Sequence, residues 1–446
     1  MKNVVIFGAG QSSPYLIHYM LENAEAYDWQ VTVCDMNLEL AKSRVNGNVR
    51  GEAIQFDIND SHLRKKLISK ADIVINMLAP VFQYLVALDC LENKTHCISA
   101  SYTNPQVADL HQDALLDDVL ILNEMGLDPG IDHMSAMSII DNVKKKGGII
   151  NSFIAYGSGI PAPEVKSNPL NYCITWNARN VVMAGESGAQ YMEDNKIKVL
   201  SHNQVFRRTW TVNVAGVGPL EAYPNRDSLV YQDLFKLHKV KTMIRGTLRY
   251  PGWSETWHQI VRLGIPNEKM PIHKLASKTY AEFTEMFLPL LASGANIEKR
   301  VANYLNISPT GTIIRNMRWL GLFSDEKIGK GPKTAAQVLE KILREKMPLP
   351  EGARDMVILV HKINAYYPEI KKKEIRTTTF IEYGDGFTAI AKTVGMPAAI
   401  AAKLILTGKL KIRGCRIPTH PDIYKPVLRE LKKNGLKFVE KVESIK

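Results

Sequence analysis

Asn3-Val4-Val5-Ile6-Phe7-Gly8-Ala9-Gly10-Gln11-Ser12-Ser13-Pro14 decides the fold. The apolar run Asn3–Phe7 reads as a buried strand, and Pro14–Leu21 reads as a helix, with a glycine turn between them. Gly8 makes the tight turn, and Gly10 lets the backbone approach a pyrophosphate at the helix N-terminus. The third glycine of a full fingerprint is missing, and Ser13 stands in its place. A strand, Gly-x-Gly and a helix in that order point to a dinucleotide, held near Gly8, Gly10, Gln11 and Ser12.

Gln30–Cys34 is a second strand, ended by Asp35. Its distance from Gly10 is close to the ~20 residues expected for an acid that holds the ribose 2′-hydroxyl. A carboxylate there repels a 2′-phosphate, so NAD is expected over NADP; a plain turn aspartate is the alternative. Ala53–Phe56 reads as a third strand, with Asp57 and Ile58 at its end. Ser61–Ile68 is a helix pattern, Asp72–Met77 a fourth strand, and His96–Ser99 a fifth after a helix running to Leu91. Val119–Leu122 is the sixth. This alternation indicates an α/β fold with a doubly wound parallel sheet of the Rossmann type.

Ser101-Tyr102 and Asn123–His133 follow the fifth and sixth strands, so both fall on the ligand-binding edge of such a sheet. The second stretch reads Asn123-Glu124-Met125-Gly126-Leu127-Asp128-Pro129-Gly130-Ile131-Asp132-His133. Pro129 and Gly130 suit a tight bend, and Asp128, Asp132 and His133 lie close together within it. It reads either as an ordinary turn with an aspartate capping the next helix or as a catalytic cluster.

After Gly147-Gly148 the texture changes. Ile149–Ala155 looks like a strand, and the segment from Gly157 to Glu164 is too rich in Gly and Pro for regular structure. Arginine-bearing turns at Arg226 and Arg249 lie in β-like sequence, which indicates a second mixed α/β domain. Amphipathic helices are expected at Tyr280–Leu291, Thr312–Leu322 and Ala335–Leu343, and strands at Met356–His361 and Thr377–Glu382. Thr388–Leu406 is a helix pattern of small residues interrupted by Gly395 and Pro397, and a basic region follows.

Composition narrows the class. The 446 residues, 45% hydrophobic and 23% charged, suit two or three globular domains. No apolar run approaches the ~20 residues of a membrane span, and the N-terminus has no signal-peptide pattern. Five cysteines, never spaced Cys-x-x-Cys, argue for a reducing compartment, hence the cytoplasm, without disulfides or a metal site. The net charge of +12 is scattered, and its longest run, Lys371–Lys373, reads as a solvated face. Small anionic ligands explain the excess of basic residues as well as a nucleic acid would.

Five motifs carry a family resemblance: Glu124–His133, Ser101-Tyr102, Gly159–Pro163, Pro224–Ser228 and Arg245–Tyr250. With Ala391–Ala399 they resemble the glutamate-forming saccharopine dehydrogenases, in order and over nearly the whole chain. The likeness is greatest to the dehydrogenase half of the bifunctional lysine-degrading enzymes. It implies oxidation of saccharopine, with water and a nicotinamide cofactor, to glutamate and 2-aminoadipate 6-semialdehyde, within lysine metabolism. It implies a Rossmann domain over 1–130 and 388–446, a substrate and dimerisation domain over 131–279 and 352–387, and a small helical domain over 280–351. A homodimer follows from it, without nucleic-acid or membrane partners.

By the same resemblance the cofactor, NAD with NADP as the alternative, lies near Gly8, Gly10, Gln11, Ser12, Asp35, Asp57, Ile58, Leu127, Asp128 and Pro129. Substrate lies near Ser101, Tyr102, Asp128, Arg226, Thr247, Leu248 and Arg249. Each arginine could clamp one of saccharopine's three carboxylates bidentately, or serve only a structural ion pair. Asp128, Tyr102 and His133 are the catalytic candidates, with Asp128 or His133 as base and His133 alternatively a core histidine. Two departures stand out. Fungal members carry an arginine after the second strand where this chain has Asp35, and many members have a cysteine where it has Gly157. Carboxynorspermidine and homospermidine enzymes share the fold, and a non-catalytic dinucleotide-binding protein is the other alternative. Arg226 with Arg249 argues against a cationic substrate.

Overall fold

β1 (Lys2–Phe7) is fully buried from Val4 onward and lies inside a seven-stranded sheet. Its unbroken apolar run suits a strand covered on both faces. β2 (Trp29–Asp35) and β3 (Gly51–Gln55) extend the sheet on one side. β4 (Ile73–Asn76), β5 (His96–Ser99), β6 (Leu120–Leu122) and the short strand Gly414–Arg416 extend it on the other. All these pairings are parallel. The strand order reverses between β1 and β4, which creates the crevice where doubly wound sheets take their ligands. The strand Gly414–Arg416 carries no signal in the sequence, because Gly-Cys-Arg has no apolar run of the kind that marks β6.

The computed structural model describes residues 1–445. They fold as two compact units, the first being Met1–Ile149 with Phe380–Val439. Its C-terminal contribution includes the helix Ala389–Leu406, capped by Thr388, whose Oγ1 accepts the Ala391 N–H at 3.1 Å. The helix was expected to break at Gly395 and Pro397, yet it runs through both. A Cβ at Gly395 would lie 2.9 Å from the Leu16 backbone nitrogen, so glycine is what lets this helix approach Pro14–Glu22. Burial of most of its residues outweighs the one hydrogen bond lost at Pro397. Among the described residues this is the one helix long and apolar enough to cross a membrane, closer to that limit than the sequence reading allowed. Of its apolar window, 78% is buried inside the protein, as in a core helix.

The second unit holds Ile150–Thr379 and the residues from Glu440 on. Its sheet is mixed. β7 (Ile149–Pro161) is followed by β8 (Ala189–Glu193), β9 (Lys196–Leu200), β10 (Trp210–Val214), β11 (Gly218–Pro224) and β12 (Thr242–Arg249). β13 (Asp355–Tyr367) and β14 (Lys372–Tyr383) complete it with the strand Phe438–Ile445. The order is β10-β11-β12-β7-β13-β14 and then that last strand, with β8 paired to β12 and β9. β7 and β12 are parallel, whereas β11 pairs antiparallel with both β10 and β12.

The expectation of irregular structure after Gly157 is corrected here, since β7 continues to Pro161. Gly157 pairs with Thr247 of β12, and β13 flanks the other side, so the ladder holds a stretch that composition alone would make a loop. The helix expected over Tyr280–Leu291 ends at Glu285, because Pro289 cannot donate back to the Glu285 carbonyl. It and the helices Ile297–Leu305, Thr312–Leu320 and Ala335–Lys346 lie within the second unit.

Candidate active site

The first unit carries a dinucleotide cradle. Gly8 has φ +102°, and a Cβ there would meet the Met77 carbonyl at 3.2 Å. At Gly10 a Cβ would meet nothing within 4 Å, so the backbone is open to a phosphate beside the helix Pro14–Glu22. Asp35 is tied into the same turn: Oδ2 accepts the Ala9 N–H at 2.8 Å and Oδ1 the Asn37 N–H at 2.9 Å. Arg44 reaches back to the same residue, its Nε donating to the Ala9 carbonyl at 3.3 Å. Gln11 is exposed and Ser12 half-buried on the turn. Asp57 is exposed and accepts from the Asn59 N–H at 2.9 Å. Ile58 and Leu127 are buried, so their side chains are withdrawn and their backbones are what a cofactor could meet.

The stretch after β6 is folded around a reversal at Asp128–Pro129, whose peptide bond is cis. The Gly126 N–H donates to the Pro129 carbonyl and the Ile131 N–H to the Gly126 carbonyl. A Cβ on Gly130 would fall 2.0 Å from the Gly126 oxygen, so no other residue fits. This loop presents Asp128, whose Oδ1 accepts the Tyr102 hydroxyl at 2.7 Å. Ser101 and Tyr102 are held from behind. The Glu124 N–H donates to the Ser101 carbonyl at 3.1 Å, and Gln83 Nε2 donates to the Tyr102 carbonyl at 3.1 Å.

His133 stands apart from the other catalytic candidates. It is 0% exposed, whereas Asp128 is half-buried and Tyr102 exposed. Its Nδ1 lies 2.6 Å from Asp132 Oδ1 and its Nε2 lies 3.2 Å from Glu124 Oε2. Burial by itself would lower its pKa; the charge and hydrogen bond of Asp132, joined by Glu124, outweigh that and raise it to about 9. The two neighbouring carboxylates draw the imidazole inward, the arrangement of a core histidine, which the sequence reading holds as the alternative to a catalytic one. Among the described residues no cluster of His, Cys, Asp and Glu could hold a metal ion.

The second unit carries the arginines. Arg249, 6% exposed, ends β12 with its guanidinium 4.7 Å from the Tyr172 ring centroid and 5.8 Å from that of Trp253. Nη1 donates to Ser158 Oγ at 3.2 Å and to the Leu248 carbonyl at 2.8 Å, and Nε has no partner. Glu221 pairs with Arg249 across the strands, yet its buried Oε1 is also without a partner. Among the described residues no carboxylate neutralises Arg249. Leu248 is fully buried, leaving its backbone as the polar contact, while Thr247 is half-buried beside it.

Arg226 is exposed on the turn after β11 at φ 52°. The neighbouring Asn225 bonds to Arg245, four residues before Arg249, which separates the two levels by roughly 13 Å of strand. The sequence reading assigned no role to Glu124, Gln83, Ser158 or Trp253. Their parts depend on contacts that only the tertiary structure makes.

Sheet order, cradle and the Tyr102–Asp128 pair define the class, a dinucleotide-binding oxidoreductase of the Rossmann type. Residues 4–122 match the saccharopine dehydrogenase NADP binding domain, and residues 126–436 match the saccharopine dehydrogenase C-terminal domain. The chain belongs to the saccharopine dehydrogenase family. It is 33% identical over 451 residues, 99% of either chain, to saccharopine dehydrogenase (NADP(+), L-glutamate-forming) of Saccharomyces cerevisiae. Alpha-aminoadipic semialdehyde synthase of Arabidopsis thaliana is 32% identical over 96% of this chain and 42% of its own length. The solved apo saccharopine dehydrogenase (L-Glu forming) of S. cerevisiae superposes with a TM-score of 0.88 at 32% identity, covering 99% of this chain and 100% of that one.

Proposed function

We propose that this chain catalyses the reversible, NAD-dependent oxidative cleavage of L-saccharopine to L-glutamate and L-2-aminoadipate 6-semialdehyde. One observation carries the substrate class: Arg249 is a buried cation with no carboxylate of its own. Such a charge is costly unless an anion arrives to pair with it. Tyr172 and Trp253 hold the guanidinium, leaving Nε available for a substrate carboxylate. Arg226, at another level of the strand, serves a different carboxylate of the same tri-acid. A polyamine would bring further positive charge towards Arg249.

The nicotinamide, when bound, supplies the hydride acceptor. The residues do the rest. Gly8 and Gly10 admit the pyrophosphate, and Asp35 takes the ribose hydroxyls. Asp128 faces the substrate's secondary ammonium and takes its proton, while the Tyr102 hydroxyl orients that carboxylate through Oδ1. Loss of hydride from the adjoining substrate carbon leaves an iminium ion; water adds to it with release of a proton, and the carbinolamine collapses to amine and aldehyde.

Asp35 supports NAD as the working cofactor although the fungal relatives' names print NADP(+). Its bond to Ala9 fixes a negative charge on the ribose side of the turn. The test is to incubate the protein with NAD and either saccharopine or carboxynorspermidine and to follow NADH absorbance. Reduction with saccharopine alone is expected. Reduction with the polyamine alone would refute the substrate, and no reduction of NAD or of NADP with either would indicate a protein that binds without turnover.

A further inference from the structure

The Tyr102–Asp128 pair depends on two separate loops meeting, and a buried chain of contacts runs directly behind them. The Thr103 N–H, next to Tyr102, donates to Glu124 Oε1 at 3.0 Å. Glu124 Oε2 lies 3.2 Å from His133 Nε2, and His133 Nδ1 lies 2.6 Å from Asp132 Oδ1. The same Asp132 oxygen accepts the Gly130 N–H, two residues from Asp128, at 2.8 Å. One imidazole thus sits between two carboxylates, each of which also holds a backbone N–H of one reactive loop.

A neutral imidazole carries one N–H, so one ring lone pair would face a carboxylate. Both contacts are attractive only when both nitrogens are protonated. We propose that Glu124, His133 and Asp132 form a positioning device that holds the Tyr102 loop against the Asp128 turn while the imidazole is an imidazolium. The proposal rests on the reading that Tyr102 and Asp128 act in saccharopine turnover. The charged groups that face His133 are Asp132, on its own helix, and Glu124, on the segment after β6. Both favour the protonated ring, in accord with its raised pKa of about 9. None of the three touches substrate in this account. Their effect passes through the spacing of two other side chains.

The experiment compares wild type with Glu124→Gln and His133→Asn in three measurements. The first is the pH profile of kcat with saccharopine and NAD. Glu124→Gln removes one of the two charges that hold the proton, so the alkaline limb should move down by roughly 1 unit. The KM for NAD should stay put. The second is the titration of the His133 ring followed by NMR in the unliganded protein, which should move in the same direction. The third is amide exchange at Thr103 and Gly130 in the unliganded protein, which should quicken in both variants. His133→Asn should also cost roughly 10- to 100-fold in kcat, the scale of a small misplacement at a reacting centre.

An alkaline limb at the same pH in wild type and Glu124→Gln would overturn the proposal, as would unchanged exchange at Thr103 and Gly130. If wild type turns over no saccharopine, the functional reading falls by itself. The ring titration and amide exchange, which need no substrate, then decide whether the device exists. Should His133→Asn fail to fold, Glu124→Gln alone settles the question, because glutamine keeps the volume of the side chain and removes only its charge.

Discussion

Arg249→Met separates a substrate clamp from a structural arginine, because the two roles predict opposite changes in stability. The guanidinium is 6% exposed, donates to Ser158 Oγ and the Leu248 carbonyl, and leans on Tyr172 and Trp253. Those contacts contribute about 1–3 kcal/mol for hydrogen bonds to a charged donor and about 1–2 kcal/mol for the aromatic faces. Against them stands a desolvation cost of several kcal/mol for a buried ion with no partner charge. Methionine matches the apolar stem, and Ser158 keeps its own bond to the Leu248 carbonyl at 2.6 Å. The unliganded variant should therefore be as stable as wild type or more so, as read by urea unfolding.

With substrate the sign reverses. A desolvated carboxylate that loses its arginine forfeits about 2–4 kcal/mol, which is roughly 30- to 900-fold in kcat/KM for saccharopine. The KM for NAD should hardly move, since Arg249 lies outside the unit that carries the glycine turn. Steady-state kinetics with both reactants varied is the assay. Destabilisation by more than about 2 kcal/mol together with an unchanged KM for saccharopine would refute the reasoning.

Tyr102→Phe and Asp128→Asn should each lower turnover by about ten- to ten-thousand-fold while leaving the unfolding midpoint in place; wild-type turnover in Asp128→Asn would remove that carboxylate from the mechanism. At an effective dielectric near 20, Asp35 should repel a 2′-phosphate at contact by about 4 kcal/mol, so kcat/KM should favour NAD by about two orders of magnitude or more. Asp35→Ser with Met36→Arg should narrow that preference, and a wild type that prefers NADP would refute the role of Asp35. His133 is held protonated up to about pH 9 against 6.5 for an ordinary histidine. Its stabilisation should be complete below about pH 6.5 and lost as pH rises through about 9, worth about 3 kcal/mol in all. In His133→Phe, urea unfolding across that range should lack this decline.

Some features were legible in the chain because their causes are local. Apolar runs marked β1 to β5, the first three ended by Gly8, Asp35 and Asp57, and the steric demand of Gly8 placed the cradle before any contact was known. Asp128-Pro129-Gly130 marked a reversal for the same reason: proline removes a donor, and only glycine tolerates φ +144° there. Long motifs carried the family, since a run such as Glu124–His133 is hard to match by chance.

Other features depended on partners far away in sequence. Gly157 to Pro161 reads as a loop in isolation and is a strand because β12 and β13 flank it. Gly395 and Pro397 read as a break, and burial against Leu16 keeps the helix whole. His133 and Asp128 look equivalent in the sequence, five residues apart. Tertiary structure left Asp128 half-buried beside the Tyr102 hydroxyl and took His133 into the interior, because Glu124 and Asp132 set two carboxylates against the imidazole where solvent cannot screen them. Arg249 likewise reads as a turn arginine. Only the fold shows that it is buried on two aromatic rings with no carboxylate among the described residues to neutralise it, because its partners come from segments far apart in the chain.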